Sequence, residues 1–166
     1  MKLRLSSSER LVDLSGMSDL KGIKVDAGGV TIGAMTTHAA VGASAEVQKA
    51  IPALAELAAG IGDPMVRNMG TLGGSVANAD PAACYPAALL GLGATVHTDR
   101  RTIAADVFFT GLYETALQPG ELITAVSFPL AQRAAYINAP TDALGVREIA
   151  MPATTERVWR AANHIA

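Results

Sequence analysis

The chain has 166 residues and a net charge of −2; half of its residues are hydrophobic and only 4% aromatic. That length sets one domain, or two small subdomains, around a core of Ala, Leu, Val and Ile. The balanced charge carries no nucleic-acid footprint. The single cysteine, Cys84, rules out an intramolecular disulfide and argues against Zn or Fe–S ligation by this chain alone.

From the start, Met1-Lys2-Leu3-Arg4-Leu5 lacks the apolar core of a signal peptide, and no run is long enough to span a membrane. A cytoplasmic protein is the expectation. Leu11-Val12-Asp13-Leu14 reads as a short strand. Residues 22–27 alternate as a half-buried strand does, Gly28-Gly29 turns, and residues 30–34 return as the second arm of a hairpin. Thr36 or Thr37 caps a short helix through about Val41, and Ser44 caps another carrying Val47. Pro52 opens a helix over residues 53–61 that Gly62-Asp63-Pro64 stops. Residues 82–92 read as a buried helix ended by Gly93. Residues 95–98 and 101–104 form two strands joined at Asp99-Arg100, residues 106–109 a helical turn or loop, and residues 121–128 a last strand before Pro129. Hairpins beside separate helices predict an α+β fold with a mixed or antiparallel sheet and flanking helices.

The segment Val66-Arg67-Asn68-Met69-Gly70-Thr71-Leu72-Gly73-Gly74-Ser75, with Asn78-Ala79-Asp80-Pro81 after it, concentrates glycines, hydroxyls and amides between apolar runs. It reads in two ways. Gly73 and Gly74 could take φ > 0 so that successive N–H groups form an anion site flanked by the Thr71 and Ser75 hydroxyls, as a phosphate-bearing cofactor requires. The other reading is a plain Gly-Gly turn between strands. Asp63 and Asp80 each precede a proline, a turn signature rather than an acid–base pair. His38 is a cleft group or a helix-start residue. Arg67 faces phosphates or holds the loop. Cys84, beside Ala82, Ala83, Tyr85 and Pro86, is a reactive thiol or an inert buried one. His97 falls on an exposed strand and His164 at the chain end. No catalytic residue and no metal-ligand set is expected.

Residues 2 to about 129 resemble the FAD-binding medium subunit of molybdenum hydroxylases, the carbon monoxide dehydrogenase and xanthine dehydrogenase group. The shared text includes Met1 to Leu5, Leu11 to Leu14, Thr31-Ile32-Gly33-Ala34-Met35-Thr36-Thr37-His38, residues 61–75, Ala79-Asp80-Pro81-Ala82-Ala83 and Pro86-Ala87-Ala88-Leu89-Leu90. The resemblance implies a flavin-binding α+β fold of the PCMH type, mainly its second subdomain. It implies FAD held at its pyrophosphate by Thr71, Leu72, Gly73 and Gly74, with Ser75 and Asn78 beside them. Asp80 would shape the next turn, Ile123 would lie against the isoalloxazine ring, and Thr36, Thr37 and His38 would sit near the cofactor cleft. It implies an electron-transfer component of an oxidoreductase, working with an iron–sulfur small subunit and a molybdopterin large subunit.

Three departures from the family pattern stand out. A second glycine-rich loop of the type Ala-Gly-Gly-x-Ser-Leu is expected just before Met1, so the sequence reads as a truncated domain over residues 1–129 holding half of the cofactor grip. Cys84 stands where an acidic residue is usual. After Pro129 the family's own C-terminal domain does not follow; residues 130–166, with Gly145-Val146-Arg147-Glu148-Ile149 and a capped helix around Trp159, resemble the tail of the large molybdopterin subunit. An internal deletion product follows as an expectation, with marginal solubility from an uncovered apolar edge near Leu11 to Leu14. The alternative to an FAD-binding subunit is a non-catalytic remnant without flavin.

Overall fold

The computed structural model describes residues 11–130. Up to Pro129 they belong to the first of two compact units, Met1–Pro129 and Leu130–Ala166. The expectations for residues 1–10 and 131–166, including the large-subunit-like tail, Trp159 and His164, lie outside the described residues.

The frame is a five-stranded sheet in the order β1-β2-β7-β3-β4. Its strands are β1 (Ile23–Asp26), β2 (Gly29–Gly33), β3 (Thr95–Thr98), β4 (Thr102–Ala104) and β7 (Ile123–Pro129). Every pairing within it is antiparallel. Two local hairpins, β1–β2 and β3–β4, are joined by the last strand, which inserts between them with Ile32 opposite Val126 and Val96 opposite Val126. Alternation along the strands sends Val30, Ile32, Val96, Ile103, Val126 and Phe128 into the core. The other face carries Thr31, His97 and Ser127, all half-buried. There the Ser127 hydroxyl lies 2.8 Å from Thr31 Oγ1 and 2.7 Å from His97 Nε2.

Short helices supply the rest of the core: α1 (His38–Ala43), α2 (Ala45–Ala50), α3 (Pro52–Gly60), α4 (Pro64–Met69), α5 (Leu72–Asn78), α6 (Cys84–Gly91) and α7 (Ala105–Phe108). A small hairpin, β5 (Phe109–Gly111) and β6 (Glu114–Thr115), follows α7. Four helix starts are capped by side chains. Thr37, Ser44, Asp63 and Thr71 accept from the backbone N–H of Ala40, Val47, Val66 and Gly74, satisfying donors a helix cannot satisfy itself. Leu54, Leu72, Leu89, Val41, Val47 and Val76 are fully buried, each burial stabilising by about 1.5–3 kcal/mol.

The loop before β7 is held by Glu121. One carboxylate oxygen accepts from Arg101 Nε (2.9 Å) and Thr98 Oγ1 (2.8 Å), the other from Arg101 Nη2 (3.0 Å) and the Gln118 N–H (2.8 Å). The Arg101 bonds, then the Gln118 N–H, hold the Glu121 carboxyl well below the usual carboxylate range, at about 2.

The α+β class stands, and the two hairpins, the α1, α2, α3 and α6 helices and the last strand form where expected, although α6, expected to be buried, buries only Tyr85, Ala88 and Leu89 and leaves Leu90 exposed. Five expectations change. Leu11 to Leu14 is not a strand: it has no strand partner among the described residues, Leu11 and Val12 are exposed, and Asp13 turns back to accept from the Ser15 N–H and hydroxyl. Residues 64–69, expected as part of a loop, form α4, because Asp63 caps and Pro64 occupies the first helical position. Cys84 is exposed, not buried, at the start of α6. His97 is half-buried against Ser127 rather than exposed. The fifth concerns the glycine-rich segment.

A candidate cofactor site at the α1–α5 junction

Two segments distant from each other along the chain meet in one joint. The connection from β2 to α1, residues 34–38, runs beside the turn that opens α5. Leu72 N–H donates to the Thr36 carbonyl (3.0 Å), Gly73 N–H to the Ala34 carbonyl (2.8 Å), and His38 N–H to the Gly70 carbonyl (3.1 Å). Thr37 and Thr71 form an isolated antiparallel bridge. Ala34 N–H in turn donates to the Thr124 carbonyl (2.9 Å), tying the joint to the central strand β7. Thr36, Thr37, His38, Thr71, Leu72, Gly73, Gly74 and Ser75 therefore share one corner of the fold. Ile123 lies one residue from Thr124, buried in the core cluster.

The glycines here do not act as expected. Gly73 and Gly74 lie inside α5, neither has a positive φ, and the segment is a helix rather than a turn between strands. Glycine at Gly73 serves packing: a Cβ there would come within 2.5 Å of the Ala34 Cβ and 2.9 Å of the Ala34 carbonyl oxygen. The first-turn N–H groups do not form an open anion nest either. Besides Leu72 and Gly73, the Gly74 N–H donates to Thr71 Oγ1 (3.2 Å) and the Ser75 N–H to the Thr71 carbonyl (3.1 Å). What remains outward is side-chain chemistry. The Thr71 oxygen accepts from Gly74, so its own hydrogen is free to donate. Gly74 and Asn78 are exposed and Ser75 is half-buried.

The neighbours fill structural roles. Arg67 Nη1 donates to the carbonyls of Ile61 (3.2 Å) and Gly62 (2.7 Å), which settles it as a brace for the turn into α4. Thr36 caps nothing; its hydroxyl donates to the Gly22 carbonyl and accepts the Gly22 N–H. Asp80 accepts the Ala82 N–H (2.9 Å) and shapes the turn into α6. That turn follows Ala79, which adopts a left-handed conformation, φ 47° and ψ 38°, at the C-terminal cap of α5. Beside Thr36 and Thr37 a hollow of about 490 Å³ opens, lined also by Lys21, Met35, Ser44 and Glu46.

His38 is 4% exposed, and its ring packs against Tyr85 with centroids 5.3 Å apart. His38 Nδ1 and the Tyr85 hydroxyl are buried without hydrogen-bond partners among the described residues. Burial lowers the His38 pKa and raises that of Tyr85. Ala34 and Tyr85 are not among the residues the sequence singles out for the site. Their signal is three-dimensional: a small residue facing a helical glycine, and a phenol facing an imidazole.

The family model described as the FAD binding domain in molybdopterin dehydrogenase matches residues 1–131, a span that contains the whole joint. The chain belongs to this family. It is 44% identical over 135 residues to the carbon monoxide dehydrogenase medium chain of Afipia carboxidovorans, covering 78% of this chain and 46% of that one. It is 35% identical over 134 residues to the glyceraldehyde dehydrogenase medium chain of Sulfolobus acidocaldarius, covering 78% and 48%. Among solved structures it superposes on CO dehydrogenase from Oligotropha carboxidovorans with a TM-score of 0.76 at 41% identity, covering 79% of this chain and 47% of that one. Quinoline 2-oxidoreductase from Pseudomonas putida 86 gives 0.76 at 37% identity, covering the same shares. The chain thus spans just under half the length of these relatives. The implied flavin-binding α+β fold is the one observed. Among the described residues there is no candidate metal cluster, and no helix is long and apolar enough to cross a membrane.

Proposed function

We propose that the α1–α5 joint holds one side of an FAD molecule and that the protein serves as the flavin-carrying component of a molybdenum hydroxylase. The observation that carries this reading is the outward face of α5. Thr71, Ser75 and Asn78 present hydroxyl and amide groups beside the bare backbone of Gly74, inside the segment that matches the family model. A Cβ at Gly74 would stand 2.9 Å from Thr71 Oγ1. Its absence lets a phosphate approach both the helix backbone and the free Thr71 hydrogen. These donors suit a pyrophosphate. They bind through side chains, because the first-turn N–H groups are occupied.

A bound flavin supplies electron transfer. The protein contributes position. Thr71 orients the phosphate side while capping α5, Thr37 and His38 fix Thr71 through the bridge and the Gly70 bond, and Ile123 and Leu72 keep the interior side of the joint apolar. In this reading electrons arrive from an iron–sulfur small subunit and leave to an acceptor, with a molybdopterin large subunit completing a cytoplasmic complex.

Titration of the purified full chain with FAD, followed by flavin fluorescence and the absorbance of the washed protein, tests the reading. Stoichiometric retention is expected, with Thr71→Val weakening it about tenfold or more, as loss of one charge-assisted hydrogen bond does. A protein that stays colourless in excess FAD overturns the proposal in favour of a remnant that no longer retains the cofactor.

A further inference from the structure

Among the described residues, two buried polar atoms lie unpartnered behind the α5 start: His38 Nδ1 and the Tyr85 hydroxyl. Groups of this kind are scarce in native interiors and each needs an explanation. The imidazole is wedged between the Tyr85 ring and the turn before α5. A Cβ at Gly70 would stand only 2.6 Å from His38 Nε2, so the ring has no slack on that side. The same residue's N–H donates to the Gly70 carbonyl, next to Thr71.

We propose that His38 is a positioning residue that latches the cofactor helix α5 in its neutral form and releases it when protonated, making the grip on the α5 side of the site pH-dependent. The proposal rests on the flavin reading for its consequence, not for its chemistry. A neutral imidazole has one donor and one acceptor nitrogen, whereas the cation has two donors. Nδ1 is buried with no partner among the described residues, so the proton that the cation adds there has no acceptor unless the ring moves to water. Moving it draws on the Gly70 carbonyl and then on Thr71.

Among the described residues, no charged side chain bonds the ring. On α6, Tyr85 faces the ring, and burial keeps its phenol neutral. On α4, Arg67 is turned to the Ile61 and Gly62 carbonyls. On α2 and α3, Glu46, Lys49 and Glu56 are exposed. Burial is the cause acting on His38, and it lowers the pKa below the ordinary 6.5. The sign follows. Above that value open and closed joints bind no proton and the latch is at full strength. As pH falls, the open joint takes a proton that the closed one refuses, and opening rises by up to about tenfold per pH unit until the closed-state pKa is passed.

The Leu72 and Gly73 amides donate across the joint, so their hydrogen exchange reports its opening with no flavin present. Exchange corrected for intrinsic rates, measured on the full chain from pH 7.5 to 4.5, is expected to show that rise for Leu72 and Gly73 but not for Val96 or Val126 in the sheet. In His38→Gln the rise should vanish. Should that variant fail to fold, the imidazole of the wild type is titrated directly by NMR. A His38 pKa at or above the ordinary value, or an equal pH slope at all four amides, overturns the latch. A wild type that binds no FAD at neutral pH overturns the proposed function instead and leaves the exchange result standing.

Discussion

The chain contains two Gly-Gly pairs, and they do opposite things. Gly28-Gly29 turns the β1–β2 hairpin. Gly29 sits at φ +154°, and a Cβ there would collide with the Phe128 carbonyl of the neighbouring strand. Asp26 caps this turn by accepting the N–H groups of Gly28 (2.7 Å) and Gly29 (3.1 Å). Gly73-Gly74 sits in a right-handed helix, where glycine is a poor choice by propensity. There the missing side chains matter for what comes close: Ala34 on the inner side and the Thr71 hydroxyl on the outer. The first pair needs glycine for its φ as well as for a close backbone, the second for close approach alone. Only the second pair borders the candidate site.

Substitutions can break this comparison. Gly29→Ala combines an unfavourable φ with a backbone collision and should cost the most, about 3 kcal/mol or more, read as a lower denaturant midpoint with unchanged m-value. A milder effect would mean that β2 and β7 can part at that end. Gly73→Ala keeps a helical φ but overpacks Ala34, so about 1–3 kcal/mol is expected. The paired variant Gly73→Ala with Ala34→Gly should restore much of it; failure to do so would mean that Gly73 is not there for packing.

Acid acts from outside both pairs. The Glu121 carboxyl titrates at about 2 in the fold against 4.5 ordinarily. The stability it lends is therefore complete above about 4.5 and is lost as pH falls towards 2. Wild type and Gly29→Ala should lose melting temperature in parallel across that window, and Glu121→Gln should flatten the fall. The smallest effect belongs to Gly74→Ala. Helix propensity favours the change and the crowded Thr71 hydroxyl opposes it, so stability should move by less than about 1 kcal/mol. Its FAD affinity should nevertheless drop about tenfold. Equal effects on stability and affinity would erase the distinction between the two pairs.

Local structure was largely legible from the sequence, because local signals control it. Thr37, Ser44 and Pro52 mark helix starts, and Gly28-Gly29 and Asp99-Arg100 mark hairpins. Two helices hid behind turn-forming residues. Asp63-Pro64 is also a cap followed by a first-position proline, and Thr71 followed by Leu72 and Val76 is also a cap before an apolar i, i+4 pair. In both, tertiary burial or capping outweighs weak propensity. At the site, Thr36 to His38 and Thr71 to Gly74 were legible as candidates through family likeness, but their mutual hydrogen bonds were not. Nothing local announces that Leu72 will donate to Thr36, or that Tyr85 will bury its hydroxyl against His38. Exposure of Cys84 was equally illegible, since α6 is apolar on nearly every side and packing alone decides which side faces out.

The position of β7 has a consequence for assembly. Among the described strands, the one at the centre of the sheet is the last to be synthesised, and it pairs with β2 at separations of about a hundred residues. Until residues 123–129 arrive, β1–β2 and β3–β4 are separate hairpins, each with an open inner edge, and isolated hairpins are at best marginal in water. Nascent chains ending before Ile123 cannot complete the sheet, and the long loop that β7 closes places folding among the slower topologies. The α1–α5 joint inherits this order, because the Ala34 N–H donates to the Thr124 carbonyl. A ribosome-stalled series ending on either side of Pro129 should therefore acquire protease resistance abruptly rather than by degrees.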